Sequence, residues 1–105
     1  MIHVVATITL RPGTRARFLE DFQRLVPLVR AEEGCLEYGG AVDVPSGLSA
    51  QEPLRGDVVT VVEKWASRAA LAAHLAIPHM AAHRERVKDF ALGTSLLVME
   101  PAGEP

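Results

Sequence analysis

Apolar and polar positions alternate from Ile2 to Leu10, so that Ile2, Val4, Ala6, Ile8 and Leu10 fall on one side. Alternation at period two predicts a β-strand with one buried face. Pro12–Gly13 turns the chain, and Thr14 is placed to cap a helix. Phe18, Leu19, Phe22, Leu25, Val26 and Val29 then recur at three- and four-residue steps, which draws one buried stripe along that helix. Pro27 lacks the amide proton of a helical hydrogen bond, so a kink is expected there. Gly34 is placed to end the helix in a left-handed conformation. Residues 35–44 read as a second strand, where Gly39–Gly40 marks a bulge or a close backbone approach.

From Pro45 to Asp57 the periodicity is lost, and the segment reads as a loop. It exceeds the two to five residues of a common hairpin connection, as a lid or a solvated excursion would. Arg55 within it has the reach to meet an acidic ligand or simply to face water. Val58–Trp65 predicts the third strand. Ser67 caps a short helix with Leu71, His74 and Leu75 on one face, and Pro78 interrupts it. A second helical piece is expected over 79–91, stopped by Gly93, before a last strand over 94–100 and a polar tail at 101–105. The resulting order is β-α-β-β-α-β, an α+β chain with the ferredoxin-like split unit, forming one domain over residues 1–105. Its two helices can cover only one face of a four-stranded antiparallel sheet. Val58, Val59, Val61 and Val62 are apolar on both faces, as are Leu96, Leu97 and Val98. A solvated face alternates with polar residues instead, so a second copy packed sheet on sheet, a homodimer, is expected.

Composition narrows the function classes. A chain of 105 residues buries roughly 60–70% of its unfolded surface, enough for one core. The net charge is −2, with arginines scattered among acids, which argues against a nucleic-acid partner. The single cysteine, Cys35, cannot close an intrachain disulfide, as in a reducing compartment. Neither a membrane-spanning apolar run nor a signal-peptide pattern is present, so no membrane partner and a cytoplasmic location are expected.

Three of the four histidines and the only tryptophan lie between Glu63 and His83. His79 and His83 stand four residues apart, as helical zinc ligands do, but a catalytic zinc needs three protein ligands and only two align. No metal is expected. His83 shares a stripe with Met80, Val87 and Phe90 and reads as a packing residue, while His79 sits at a first helical turn. His74 shares the inward face of its helix with Leu71 and Leu75. A buried imidazole needs a hydrogen-bond partner and, held neutral, suits a general base. Trp65 is either a core filler or a flat wall for an aromatic ligand, its indole N–H free to orient it. The Tyr38 hydroxyl either orients a substrate oxygen or reaches the surface. Cys35 has no flanking cation that would obviously activate it.

The runs RAEEGCLEYGGAVDV (Arg30 to Val44) and VVEKWASRAALAAHLAIPHM (Val61 to Met80), in this strand order, resemble the antibiotic biosynthesis monooxygenase domains. The family includes small quinol monooxygenases. The resemblance runs from Ile2 to about Pro101. It rests on the acidic-Gly-Cys-Leu-x-Tyr run ending at Tyr38, the Glu63-x-Trp65 pair, and His74 followed by His79. It implies a dimeric α+β barrel with a pocket between sheet and helices in each subunit. It also implies oxidation of a quinol or polycyclic phenol by molecular oxygen, with no cofactor, because the substrate supplies the electrons. His74 would then be the base or anchor, and Trp65, Tyr38 and His79 would bind the small aromatic substrate. The chain contains no asparagine, which sets it apart from the haem-degrading and tetracenomycin-type branches that use one. Two other functions fit the same pocket: a non-catalytic dimer that binds a small aromatic molecule, and a polyketide-type isomerase or cyclase.

Overall fold

The computed structural model describes residues 1–103, so the end of the expected tail lies outside the described residues. Seven elements follow in order: β1 (Ile2–Leu10), α1 (Arg15–Arg30), β2 (Cys35–Ala41), β3 (Val58–Trp65), α2 (Arg68–Ala76), α3 (Pro78–Val87) and β4 (Ala91–Met99). The strands form one antiparallel sheet in the order β2-β3-β1-β4, the ferredoxin-like arrangement. β1 follows its alternation through the register: Ile2, Val4, Ala6, Ile8 and Leu10 are all buried. They meet the α1 stripe of Phe18, Phe22, Leu25, Val26 and Val29. Each such side chain contributes about 1.5–3 kcal/mol by leaving water.

Glycines set two close approaches. Gly34 adopts φ +81°, and an added Cβ would lie 2.6 Å from the Ala70 Cβ. The turn after α1 is therefore pressed against α2. At Gly40 an added Cβ would lie 2.9 Å from Phe22 Cε2, so this is a close approach; the irregular register in β2 falls between Cys35 and Glu37 instead. The Ser67 side chain accepts a hydrogen bond from the Ala70 amide at 3.1 Å and caps α2.

Elsewhere the structure departs from the sequence reading. Thr14 occupies the N-cap position of α1, its carbonyl accepting from the Phe18 amide at 2.9 Å, but its side chain does not cap: with φ −104° and ψ 1° it lacks the extended backbone of a cap, and its hydroxyl donates to the Arg11 carbonyl at 2.7 Å. Pro27 lies within α1, which runs on to Arg30. The carbonyl it deprives of a helical donor belongs to Gln23, an exposed residue whose carbonyl is open to solvent. β2 stops at Ala41, where its pairing to Thr60 ends, because Asp43 is taken up by Arg55. α3 ends at Val87, and Gly93 lies inside β4 opposite Thr9. The intervening turn is drawn to the end of β1, where the Arg11 amide donates to the Phe90 carbonyl at 2.7 Å. Leu75 does not share the buried face of α2; it is 43% exposed.

The sheet's outer face carries a cross-strand row, Val62 beside Val5 beside Leu97. Val62 and Leu97 are exposed. β4 is the barest element. Leu92, Leu96 and Val98 on its inner side are exposed as well as Leu97 and Met99 on its outer side. No helix among the described residues is long and apolar enough to cross a membrane.

Candidate active site

Residues two apart on a strand project from the same face, and this is why Glu63 and Trp65 meet. Both point inward from β3, and the Trp65 indole N–H donates to Glu63 Oε1 at 2.9 Å. Trp65 is fully buried. Its N–H is therefore committed to Glu63 rather than free for a ligand. Behind this pair stands His74 of α2, its ring centroid 4.6 Å from that of Trp65 and 5.5 Å, edge-on, from that of Tyr38. The His74 Nδ1–H donates to Glu32 Oε1 at 3.0 Å, and the His79 Nε2–H donates to Glu32 Oε2 at 2.6 Å. Glu32 lies two residues before Gly34, whose contact with Ala70 sets the turn against α2 and brings this carboxylate within reach.

A cavity of about 420 Å³ lies between the sheet and helices α1 and α3. Its apolar wall comes from Phe18, Phe22, Val61, Met80 and Val87, with Leu92, Thr94 and Leu96 of β4 along one side. Three buried polar side chains border it: Tyr38, Glu63 and His83. Tyr38, read from the sequence as either orienting a substrate oxygen or reaching the surface, borders this cavity. Trp65, His74 and His79 do not border the cavity; they form the layer behind Tyr38 and Glu63. The 45–57 loop contributes nothing to the wall. It is fastened to itself instead: Arg55 grips Asp43 through two hydrogen bonds of 2.9 Å, and the Gln51 side-chain amide donates to the Val44 carbonyl at 2.7 Å.

His83, read from the sequence as a packing residue, is the unexpected member. Its Nδ1–H donates to Asp21 Oδ1 at 2.6 Å, and the Arg86 guanidinium donates to both Asp21 oxygens. The stripe of α3 foretold its burial, but nothing local in the sequence links α3 to Asp21 on α1. Glu63 left a clearer trace: an acid at an inward position of β3, between Val61 and Trp65.

Burial governs the protonation of these groups. It pushes the Glu63 carboxyl above the usual carboxylate range, against the opposing pull of the Trp65 N–H and of His74. It raises the Tyr38 phenol, reinforced by the Glu63 and Glu32 charges. It holds the His83 imidazole below its ordinary value although Asp21 works the other way. Burial opposes ionisation of Asp21 too, but its hydrogen bonds from Arg86 and His83 prevail and keep it below the usual range. The Cys35 thiol is pushed up by burial and by Glu32 and Glu63, which leaves it a poor nucleophile. Among the described residues no three His, Cys, Asp or Glu side chains are grouped to hold a metal ion.

Residues 1–86 match the model of the family described as antibiotic biosynthesis monooxygenase. The probable quinol monooxygenase YgiN of Escherichia coli (strain K12) is 40% identical over 103 residues, spanning 96% of this chain and 98% of YgiN. The crystal structure of PA3566 from Pseudomonas aeruginosa superimposes with a TM-score of 0.79 at 22% identity, covering 97% of this chain and 94% of that one. That of Rv0793 from Mycobacterium tuberculosis gives 0.78 at 24%, covering 98% and 96%. Those two structures speak for the fold alone. On the family match and the identity to YgiN, this chain belongs to the antibiotic biosynthesis monooxygenase family.

Proposed function

We propose that the protein is a cofactor-independent monooxygenase that oxidises a quinol or polycyclic phenol with molecular oxygen. The observation that carries this reading is the cavity itself: about 420 Å³, walled by aromatic and aliphatic side chains, with Tyr38, Glu63 and His83 as its buried polar groups. That volume lies within the range of small-molecule sites. The name of YgiN points to the same substrate class.

A phenol becomes a reductant for oxygen once its proton is removed, because the anion delocalises charge onto a ring carbon. Two demands then fall on the protein: a proton acceptor at the substrate hydroxyl, and a water-poor surrounding that favours transfer of charge to oxygen. Phe18, Phe22, Val61 and Met80 exclude water. The Tyr38 hydroxyl donates a hydrogen bond to the oxyanion as charge develops there. The Glu63 carboxylate, held by the Trp65 N–H, accepts a hydrogen bond from a second substrate hydroxyl. His74, expected as the base, takes a positioning role: its ring packs against Trp65 and Tyr38 while Glu32 holds it and His79. One oxygen atom enters the product and the other leaves as water. The substrate supplies the four electrons, so the balance needs no other reductant.

The reading includes a homodimer formed through the outer sheet face. The Val5–Val62–Leu97 row, exposed at Val62 and Leu97, and the bare β4 support it, since contiguous apolar surface on a sheet is otherwise a liability.

Oxygen-electrode assays with a panel of naphthoquinols and anthrones test the activity. One molecule of oxygen consumed per substrate, with a hydroxylated or ketonic product carrying one labelled atom from ¹⁸O₂, is expected. No uptake above the uncatalysed rate on any substrate would overturn the reading, and product formation under nitrogen would replace it with isomerisation. Light scattering that finds a monomer at micromolar concentration would remove the dimer.

A further inference from the structure

We propose that His83 is the general base of this cavity, taking the phenolic proton on Nε2, and that Asp21 is the residue that positions it. The proposal rests on the phenol-oxidising reading above and deepens it.

Asp21 and His83 are 62 residues apart on α1 and α3, and their side chains meet at 2.6 Å. The ring plane is fixed on other sides too. Phe18 and Phe22 meet it edge-on, at centroid distances of 5.8 Å and 6.3 Å. Asp21 is anchored in turn by Arg86. An ionised carboxylate only accepts hydrogen bonds, so Nδ1 carries the proton and Nε2 the lone pair. Nε2 makes no hydrogen bond within the described residues. Every fully buried side-chain nitrogen or oxygen among those residues has a partner, so Nε2 is not sealed off, and we place its access on the cavity that His83 borders. An imidazole with one nitrogen locked to a carboxylate and the other facing an apolar hollow is arranged to accept a proton there.

The step is a simple transfer. The substrate O–H bond breaks, the proton passes to Nε2, and the imidazolium so formed is stabilised by Asp21 while the phenolate meets Tyr38. The proton later leaves with the departing hydroxide as water. The groups that bear on His83 are Asp21 from α1, and Arg84 and Arg86 from its own helix. Glu63, Tyr38 and Lys88 share the cavity wall. Burial and the two arginines favour neutral His83, and Asp21 favours the charged form. The balance leaves a lone pair available near neutral pH. A merely structural His83 would do no more than fill space and tie α1 to α3.

Two measurements test the assignment. In the first, His83→Gln, with circular dichroism and oligomeric state unchanged, is assayed for quinol oxidation. We expect kcat to fall about a hundredfold or more while KM stays within about threefold. Asp21→Asn is expected to move the acid limb of the kcat/KM profile to lower pH, because the carboxylate that raises the imidazole pKa is gone. A purely architectural aspartate would leave that limb in place. In the second, para-nitrophenol is titrated into the protein under nitrogen at a pH below its own pKa, and the phenolate absorption band is read. The band is expected with wild type and not with His83→Gln. This readout needs no oxygen chemistry, so it stands even if oxygen uptake fails. Equal phenolate bands in the two proteins, or wild-type kcat in His83→Gln, would overturn the assignment and leave the monooxygenase reading intact.

Discussion

Gly34 and Gly13 share the same backbone torsion, φ +81°, but differ in surroundings: an added Cβ lies 2.6 Å from Ala70 Cβ at Gly34 and meets nothing within 4 Å at Gly13. Alanine at the two positions therefore separates torsion from crowding. A left-handed alanine costs about 1–2 kcal/mol, offset by ~0.4–1 kcal/mol because the unfolded chain is stiffer. Gly13→Ala should lose about 1 kcal/mol, or ~4–8 °C in Tm for a domain near this size. Gly34→Ala adds an overpacking term of about 1–3 kcal/mol, since the opposing atom sits on a helix and cannot swing aside. Its Tm should fall by at least ~10 °C. Calorimetric scans at one fixed protein concentration measure both, because the proposed assembly would make Tm depend on concentration. Ala70→Gly alone should cost about 1 kcal/mol of helix propensity. In the Gly34→Ala background it should be neutral or stabilising, because it removes the atom that collides. Equal losses at Gly13 and Gly34, or no rescue by Ala70→Gly, would refute the claim that α2 is pressed onto the turn after α1.

Glu63→Gln should raise Tm at pH 7 while lowering quinol turnover at least tenfold. The carboxyl's folded pKa lies above its unfolded value, so its contribution to stability is present below about pH 4.5 and lost as pH rises through the folded pKa. The gain should accordingly vanish in scans at pH 4. Asp21 and His83 both titrate at lower pH in the fold than in the unfolded chain. Acid should therefore erode stability first as His83 is forced to charge, below pH ~6.5. A second loss should follow as Asp21 protonates, below pH ~3.8, and Asp21→Asn should abolish that second step in urea titrations. Gly40→Ala sets a methyl 2.9 Å from the Phe22 ring edge; the ring should be displaced toward the cavity and KM for bulky quinols should rise about tenfold, read by steady-state kinetics. Leu97→Glu puts a charge beside Val5 on the outer face, and sedimentation should then find the monomer.

The strand order, the inward face of β1 and the α1 stripe were legible because each is a local pattern repeated over several residues. Element ends were less so. Gly93 looks like a helix stop until Arg11 is known to hold the Phe90 carbonyl, and Thr14 looks like a side-chain cap until its torsions are known. Periodicity carries no information about such contacts. The same limit shaped the candidate site. His74, Trp65 and Tyr38 do cluster, yet only Tyr38 borders the cavity. The tie between His83 and Asp21 is not legible, because it exists only once α1 and α3 are side by side. Glu63 is legible in the sequence alone, since a carboxylate at an inward position of a valine-rich strand needs a reason to be there.

β4 supplies Leu92, Thr94 and Leu96 to the cavity while remaining the least sheltered strand of the sheet. A vessel with one thin side leaks unless something leans on it. Catalysis that depends on a dry interior would then track how much protein is in the tube, specific activity sagging on dilution well before the chain unfolds. An inert crowding protein would not restore it, whereas an inactive copy of the same chain would.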